Sequence, residues 1–119
     1  MIRVKDYNHI GIVVKKLKES VWFYGEVLGL RSIERPEFDF AGHWYQVGNH
    51  TQLHLMVFDE EIPETMRHVA LEVEDFDETL KHLEASGIEI TEGPGKRVDG
   101  SDWLFCRDPD GNLVEITRH

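Results

Sequence analysis

The sequence predicts an α+β fold made of two copies of one βαβββ unit. Three observations carry that prediction. Strand-type and helix-type periodicities follow the same order in each half, an acidic stretch containing a proline separates the halves, and His9 and Trp44 recur 59 positions later as His68 and Trp103. At 119 residues and 40% hydrophobic content the chain can bury one ordinary core, so both copies are expected in a single domain spanning 1–119. The modules are about 6–57 and about 66–118.

In the first module Ile10, Ile12 and Val14 alternate with His9, Gly11 and Val13, which predicts a strand over 8–14 with one apolar face. Leu17, Val21, Tyr24 and Leu28 then fall at helical spacing, and Gly29 stands where a helix would stop. Leu30 to Arg35 reads as a strand that Pro36 ends. Two more strands are expected over 43–47 and 51–57, joined by the turn Gly48-Asn49-His50. Residues 58–65 lack either period and read as an exposed connection.

The order then repeats. Val69, Leu71 and Val73 alternate with His68, Ala70 and Glu72 in a strand, and Asp75 with Glu78 forms a capping-box pattern. Phe76, Leu80 and Leu83 make the helix stripe, which Gly87 terminates. Strands are expected at about 88–92, 102–107 and 112–118, the last two joined by Asp108-Pro109-Asp110-Gly111. Gly93-Pro94-Gly95-Lys96-Arg97 reads as a solvated basic turn in preference to a segment that places a cation near an acidic substrate. His54 falls on Glu115 at a spacing of 61, with a two-residue adjustment assigned to the final hairpin.

Charge and composition exclude several classes of function. With 13 Lys plus Arg against 23 Asp plus Glu, a formal charge of -10, the surface repels phosphate backbones and anionic membranes, so neither nucleic acid nor a membrane is an expected partner. No apolar run is long enough to span a bilayer, and Met1 to Asp6 does not lead into a signal-type stretch, which predicts an unexported, cytoplasmic protein. The one cysteine, Cys106, reads as a core-filling residue of a strand rather than a catalytic thiol.

His9, His54, His68 and Glu115 each sit opposite the helix-facing apolar set of their strands, so all four are expected to share the other, concave face. Three imidazoles and one carboxylate suit a divalent Zn, Ni, Co, Mn or Fe ion and leave room for water or a chelating substrate. The remaining histidines, His43, His50, His82 and His119, read as ordinary polar residues. Phe38, Phe40 and Trp44 read as hairpin packing or a dimer contact ahead of a substrate wall.

Four stretches together resemble the vicinal oxygen chelate superfamily: Asn8 to Val14, the helix holding Phe23-Tyr24 and ending Val27-Leu28-Gly29-Leu30, Arg67 to Val73, and Asp108 to Glu115. That superfamily includes glyoxalase I, methylmalonyl-CoA epimerase, extradiol dioxygenases, fosfomycin-resistance thiol transferases and bleomycin-binding proteins. The resemblance implies two βαβββ modules forming a pair of half-barrels around a metal that chelates neighbouring substrate oxygens, and a homodimer. It also implies His9, His68 and Glu115 as ligands. Arg35 to Trp44, followed by Gln52 to Leu55, resembles a glyoxalase-like subgroup that commonly carries histidine at the fourth-strand position, here His54.

His54 stands where glyoxalase I has glutamate, which removes one of the carboxylate bases that proton shuttling uses there. Gly11 and Phe105 replace the substrate-contacting residues of the fosfomycin enzymes. The expected function is therefore a metal-dependent lyase or isomerase acting by proton transfer on a small substrate with vicinal oxygens. Glu115 would be ligand and catalytic base, with Glu72 a second candidate base. The alternatives are an extradiol-type dioxygenase, a binding protein of the resistance type without turnover, and a dimer with vestigial ligands. Pocket walls are expected from 36–43 and 94–102.

Overall fold

The computed structural model describes residues 1–119, which divide into two compact units, Met1–Ile62 and Pro63–His119. In the first, β1 (His9–Val14) leads into helix α1 (Leu17–Val21), followed by β2 (Arg31–Ile33), β3 (Gly42–Val47) and β4 (Thr51–Val57). In the second, β5 (His68–Glu72), helix α2 (Phe76–Ala85), β6 (Glu92–Lys96), β7 (Asp102–Arg107) and β8 (Leu113–Arg118) follow the same order. Each unit is thus a βαβββ module, and the α+β class stands. The sheets run β1-β4-β3-β2 and β5-β8-β7-β6. In both, the first and fourth strands of the module pair in parallel and the other pairs are antiparallel.

One face of each sheet packs under its helix. Ile12, Val14, Leu53, Leu55 and Tyr45 are buried in the first unit with Phe23, Tyr24 and Val27 of the helical segment. The Tyr45 hydroxyl reaches the Val21 carbonyl at 3.4 Å, and its ring lies over Gly25. In the second unit Leu104, Cys106, Val114 and Ile116 are buried with Phe76 and Leu83. Burial pushes the Cys106 thiol up to about 11, with the Asp108 carboxylate adding to it, so at neutral pH it is a small apolar filler.

The first helix departs from its expected stripe. After Val21 it widens into a π-helical turn, Trp22–Val27, in which the Leu28 N–H reaches the Phe23 carbonyl at 2.9 Å. The extra residue rotates the face, so that Ser20, Phe23, Tyr24 and Val27 are buried while Leu17, Val21 and Leu28 are only partly covered. Helix α2 keeps its predicted form. The Asp75 side chain accepts the Glu78 N–H at 3.0 Å, and past Ser86 the chain turns at Gly87 (φ +78°), with the Ile88 N–H returning to Leu83 at 3.0 Å. Gly29 does the same for the first helix at φ +73°.

Two expectations about the second module are corrected. The sixth strand lies over Glu92–Lys96, not 88–92, because Gly93 and Gly95 let the backbone pass close beneath the Trp103 ring, where a Cβ on Gly95 would lie 2.8 Å from the indole nitrogen. Gly93-Pro94-Gly95 is therefore a bulged edge strand rather than a turn. The turn follows it, closed by the Gly100 N–H on Arg97 and the Arg97 N–H on Ser101, both at 2.9 Å.

The two-residue insertion also lies earlier than expected. Trp44 pairs with His54 in β3–β4, and Phe105 with Glu115 in β7–β8, so the spacing of 61 already holds in β7. Ile33 and Glu92, which face Trp44 and Phe105, are still 59 apart. The insertion thus falls between Glu92 and Phe105, a stretch that includes the bulge of β6, and the register equivalent of Trp44 is Phe105, not Trp103. No helix is long and apolar enough to cross a membrane.

Candidate functional site

On the face away from α1, His9 and His54 come from parallel neighbours β1 and β4, with Gly11 beside His54 in the ladder. Their rings stack, centroids 4.1 Å apart and planes 15° apart. Trp44, the antiparallel partner of His54, covers its other face at 3.7 Å and 1°. The His9 Nδ1 lies 2.7 Å from Asn8 Oδ1, and the His54 Nε2 lies 2.9 Å from Gln52 Oε1. Burial first, then the charges of His9 and Arg35, holds the His54 imidazole below its ordinary pKa, so the ring is neutral, the form a metal needs.

His68 and Glu115 occupy the equivalent strands β5 and β8 of the second unit, with Ala70 beside Glu115 as Gly11 is beside His54. The His68 Nδ1 lies 2.7 Å from the Met66 carbonyl oxygen, which can only accept, so Nδ1 carries the hydrogen. Nε2 faces Glu115 Oε1 at 3.1 Å. A neutral ring would set a lone pair against a carboxylate lone pair there, and a proton or a metal cation relieves that opposition. The Phe105 ring meets His68 edge-on at 5.2 Å, completing an apolar wall.

The other oxygen of Glu115 is also engaged. Arg97 Nη2 donates to Oε2 at 2.6 Å, and its guanidinium lies 5.7 Å from the Trp103 ring. Sequence reasoning missed this residue by reading 93–97 as a solvated turn. The signal was present in Asp99-Gly100, a hairpin pair that places Arg97 at the end of a strand and level with the β7–β8 ladder. Lys96, one residue earlier, pairs instead with Asp102 at 2.7 Å.

Each unit therefore assembles two candidate ligands, and neither by itself gathers three. The donor chemistry fits a divalent cation. His9 and His68 both use Nδ1 on a neighbouring oxygen, leaving Nε2 as the nitrogen a metal could take, the arrangement that fixes the tautomer in metal-binding histidines. His54 fits less directly. Its ring is held between those of His9 and Trp44 and its Nε2 faces Gln52 Oε1, so turning it toward an ion costs it those contacts.

The other candidates are placed elsewhere. Glu72 is exposed at a strand end, accepting the His119 N–H at 3.2 Å. His43 bonds Ser32 at 2.8 Å, and His50, His82 and His119 are exposed. Phe38, Phe40, Phe58 and Trp44 form one cluster, with ring spacings of 5.3 Å for Phe38 to Phe40, 4.9 Å for Phe40 to Phe58 and 6.0 Å for Phe38 to Trp44. Through Trp44 that cluster continues onto His54.

The two βαβββ modules and the strand-borne candidate ligands point to a class, and the family model for the Glyoxalase/Bleomycin resistance protein/Dioxygenase superfamily matches residues 6–116. The chain belongs to that superfamily. Among its relatives, Glyoxylase I 4 of Arabidopsis thaliana is 32% identical over 130 residues, covering 97% of this chain and 71% of its own. The lactoylglutathione lyase of Salmonella typhimurium is 28% identical over 119 residues, covering 91% and 88%. The crystal structure of a glyoxalase-family protein from Bacillus anthracis superposes with a TM-score of 0.88 at 27% identity, covering 100% of this chain and 98% of that one.

Proposed function

We propose that the protein is a divalent-metal-dependent, glyoxalase-like enzyme that carries out proton-transfer lyase or isomerase chemistry on a small substrate with vicinal oxygens. His9 and His54 supply one half of the ligand set and His68 and Glu115 the other, the halves drawn from one chain or from the two chains of a homodimer. The observation that carries this reading is the facing of His68 Nε2 and Glu115 Oε1 at 3.1 Å while Nδ1 is committed to Met66. Two acceptors held toward each other by separate strands are a seat for a cation. A Zn, Ni, Co, Mn or Fe ion supplies Lewis acidity to neighbouring substrate oxygens.

The residues of the chain supply the rest. His9 and His54 bring no negative charge to the site, so Glu115 is its one carboxylate. As catalytic base, Glu115 has to exchange the Arg97 hydrogen bond on Oε2 for the substrate proton, and Arg97 then faces the developing anion. The Phe105 and Trp44 rings limit water at the two strand pairs. The relatives named glyoxylase I and lactoylglutathione lyase support the reaction class, and a cytoplasmic location fits the buried, unpaired Cys106. Oxygen chemistry on a catechol is the second reading, favoured by the single carboxylate among the ligands.

Metal analysis of the parent beside a His9→Ala, Glu115→Ala double variant tests the proposal. The parent is expected to retain about one ion per ligand set and the double variant none. Equal, negligible metal in both sinks the site. Oxygen consumption on a catechol with iron alone selects the second reading, and a ligand recovered unchanged after prolonged incubation with every metal makes the protein a binder.

A further inference from the structure

Arg35 carries a charge that no carboxylate of the protein answers. Arg35 takes no part in the ion pairs made by His68, Lys96, Arg97 and His119, and its exposed neighbours Glu37 and Asp39 make none with it. Arg107 and Arg118 also bond only backbone carbonyls, of Gly111 and Glu74, but neither lies against aromatic rings as Arg35 does. The Arg35 guanidinium carbon lies 4.8 Å from the Phe38 ring centre and 5.0 Å from that of Phe40, and Nη2 donates to the Phe40 carbonyl at 2.8 Å. Nε is buried without a partner over Gly42, where a Cβ would lie 3.1 Å from both Nε and Nη2.

The remaining edge is available. Nη1 makes no hydrogen bond in the protein, and Nη2 has a second hydrogen, so this end can present two N–H groups to one carboxylate in the fork geometry of an arginine clamp. It opens on a shallow concavity lined by residues 35–41. The surroundings select the rest of the ligand. Phe38 is 46% exposed beside the guanidinium, and Trp44 lies 6.0 Å from it, with its other neighbour His54 at 3.7 Å. A flat ring seated on Phe38 and Trp44 would extend from the cation toward His54.

We propose that Arg35, with Phe38 and Trp44 beside it, is a recognition site for the carboxylate of a small aromatic acid. As substrate recognition this rests on the enzyme reading above; as anion binding it stands without a metal. The test uses the metal-free full chain and three probes: phenylacetate, its neutral counterpart phenylacetamide, and acetate, each followed by tryptophan fluorescence and calorimetry. Phenylacetate is expected to bind about tenfold or more tightly than the amide, as a charge-assisted pair provides, and more tightly than acetate. Arg35→Gln is expected to erase the preference for the acid, and Arg35→Lys, which keeps the charge and not the planar fork, to retain part of it. Should Arg35→Gln lose its fold by circular dichroism, the lysine variant and the acid-to-amide ratio of the parent decide.

Glu115→Ala separates the two proposals, because it removes the candidate metal ligand and should leave phenylacetate binding within about twofold of the parent, both proteins being measured without metal. Equal affinity for acid and amide, a preference that survives Arg35→Gln, or no binding of any probe at millimolar concentration overturns the site. Acetate binding as tightly as phenylacetate leaves a simple anion site and overturns the aromatic part.

Discussion

The residues of the site differ in how firmly the chain commits them. His68 and His9 have their tautomers set by near neighbours in sequence, Met66 and Asn8, so the nitrogen each leaves open to the proposed metal is fixed by local structure. His54 is fixed by stacking on Trp44 instead, a contact across strands. His54→Asn is therefore expected to cost less metal affinity than His68→Ala in a competitive chelator titration, since the ring must first leave its stack. His43, which is not a candidate ligand, gives a prediction about pH. Burial, then the nearby Arg35 charge, lowers its pKa from 6.5. On acidification the unfolded chain takes up this proton before the folded one, so the stabilisation is full above 6.5 and is lost as the pH falls below it. Denaturant midpoints between about pH 7 and pH 5 are expected to fall in the parent and to fall less in His43→Gln, with His54 supplying the part that persists. An identical slope in the variant would exclude His43 as a contributor.

At the level of elements, the helices and the sixth strand are where sequence periodicity and structure part. Helix α2 has a cap, a stripe and a stop at their expected places, and nothing in its packing overrides them. The first helix has an equally good stripe, yet it widens into a π-turn so that Phe23 and Tyr24 can both be buried against the sheet, Tyr45 reaching between Gly25 and Val21. Adjacent buried aromatics at Phe23 and Tyr24 were the available signal. The β3–β4 ladder makes a sharper prediction. A Cβ on Gly42 runs into the Leu55 carbonyl oxygen and crowds the Arg35 guanidinium, so Gly42→Ala is expected to destabilise by about 1–3 kcal/mol in urea unfolding. Asp75→Ala, which removes only the cap of α2, is expected to cost about 1 kcal/mol. A Gly42→Ala protein as stable as the parent would mean that the strand pair yields more easily than its geometry implies.

For the whole molecule, the prediction concerns assembly. The proposed homodimer is expected to sediment at twice 13.9 kDa at micromolar concentration and to keep that mass in the His9→Ala, Glu115→Ala variant, and a monomer throughout would confine the ligand set to one chain. Much of the architecture was determined by the sequence alone. Seven of the eight strands, both helices and the acidic connection follow from local periodicity and turn chemistry, which act over a few residues and so leave their mark in the order of side chains. The faces carrying His9, His54, His68 and Glu115 follow for the same reason, since the strand period of two assigns each side chain to a side. The tertiary structure decided what depends on distant partners: the register that pairs Phe105 with Glu115, the glycines that pass under Trp103, the arginine that holds the candidate base, and the Arg35 guanidinium set against two rings without a counter-ion. Such contacts join residues far apart in the chain, and no spacing along the sequence records which of its charges will meet a partner and which will be kept for something else.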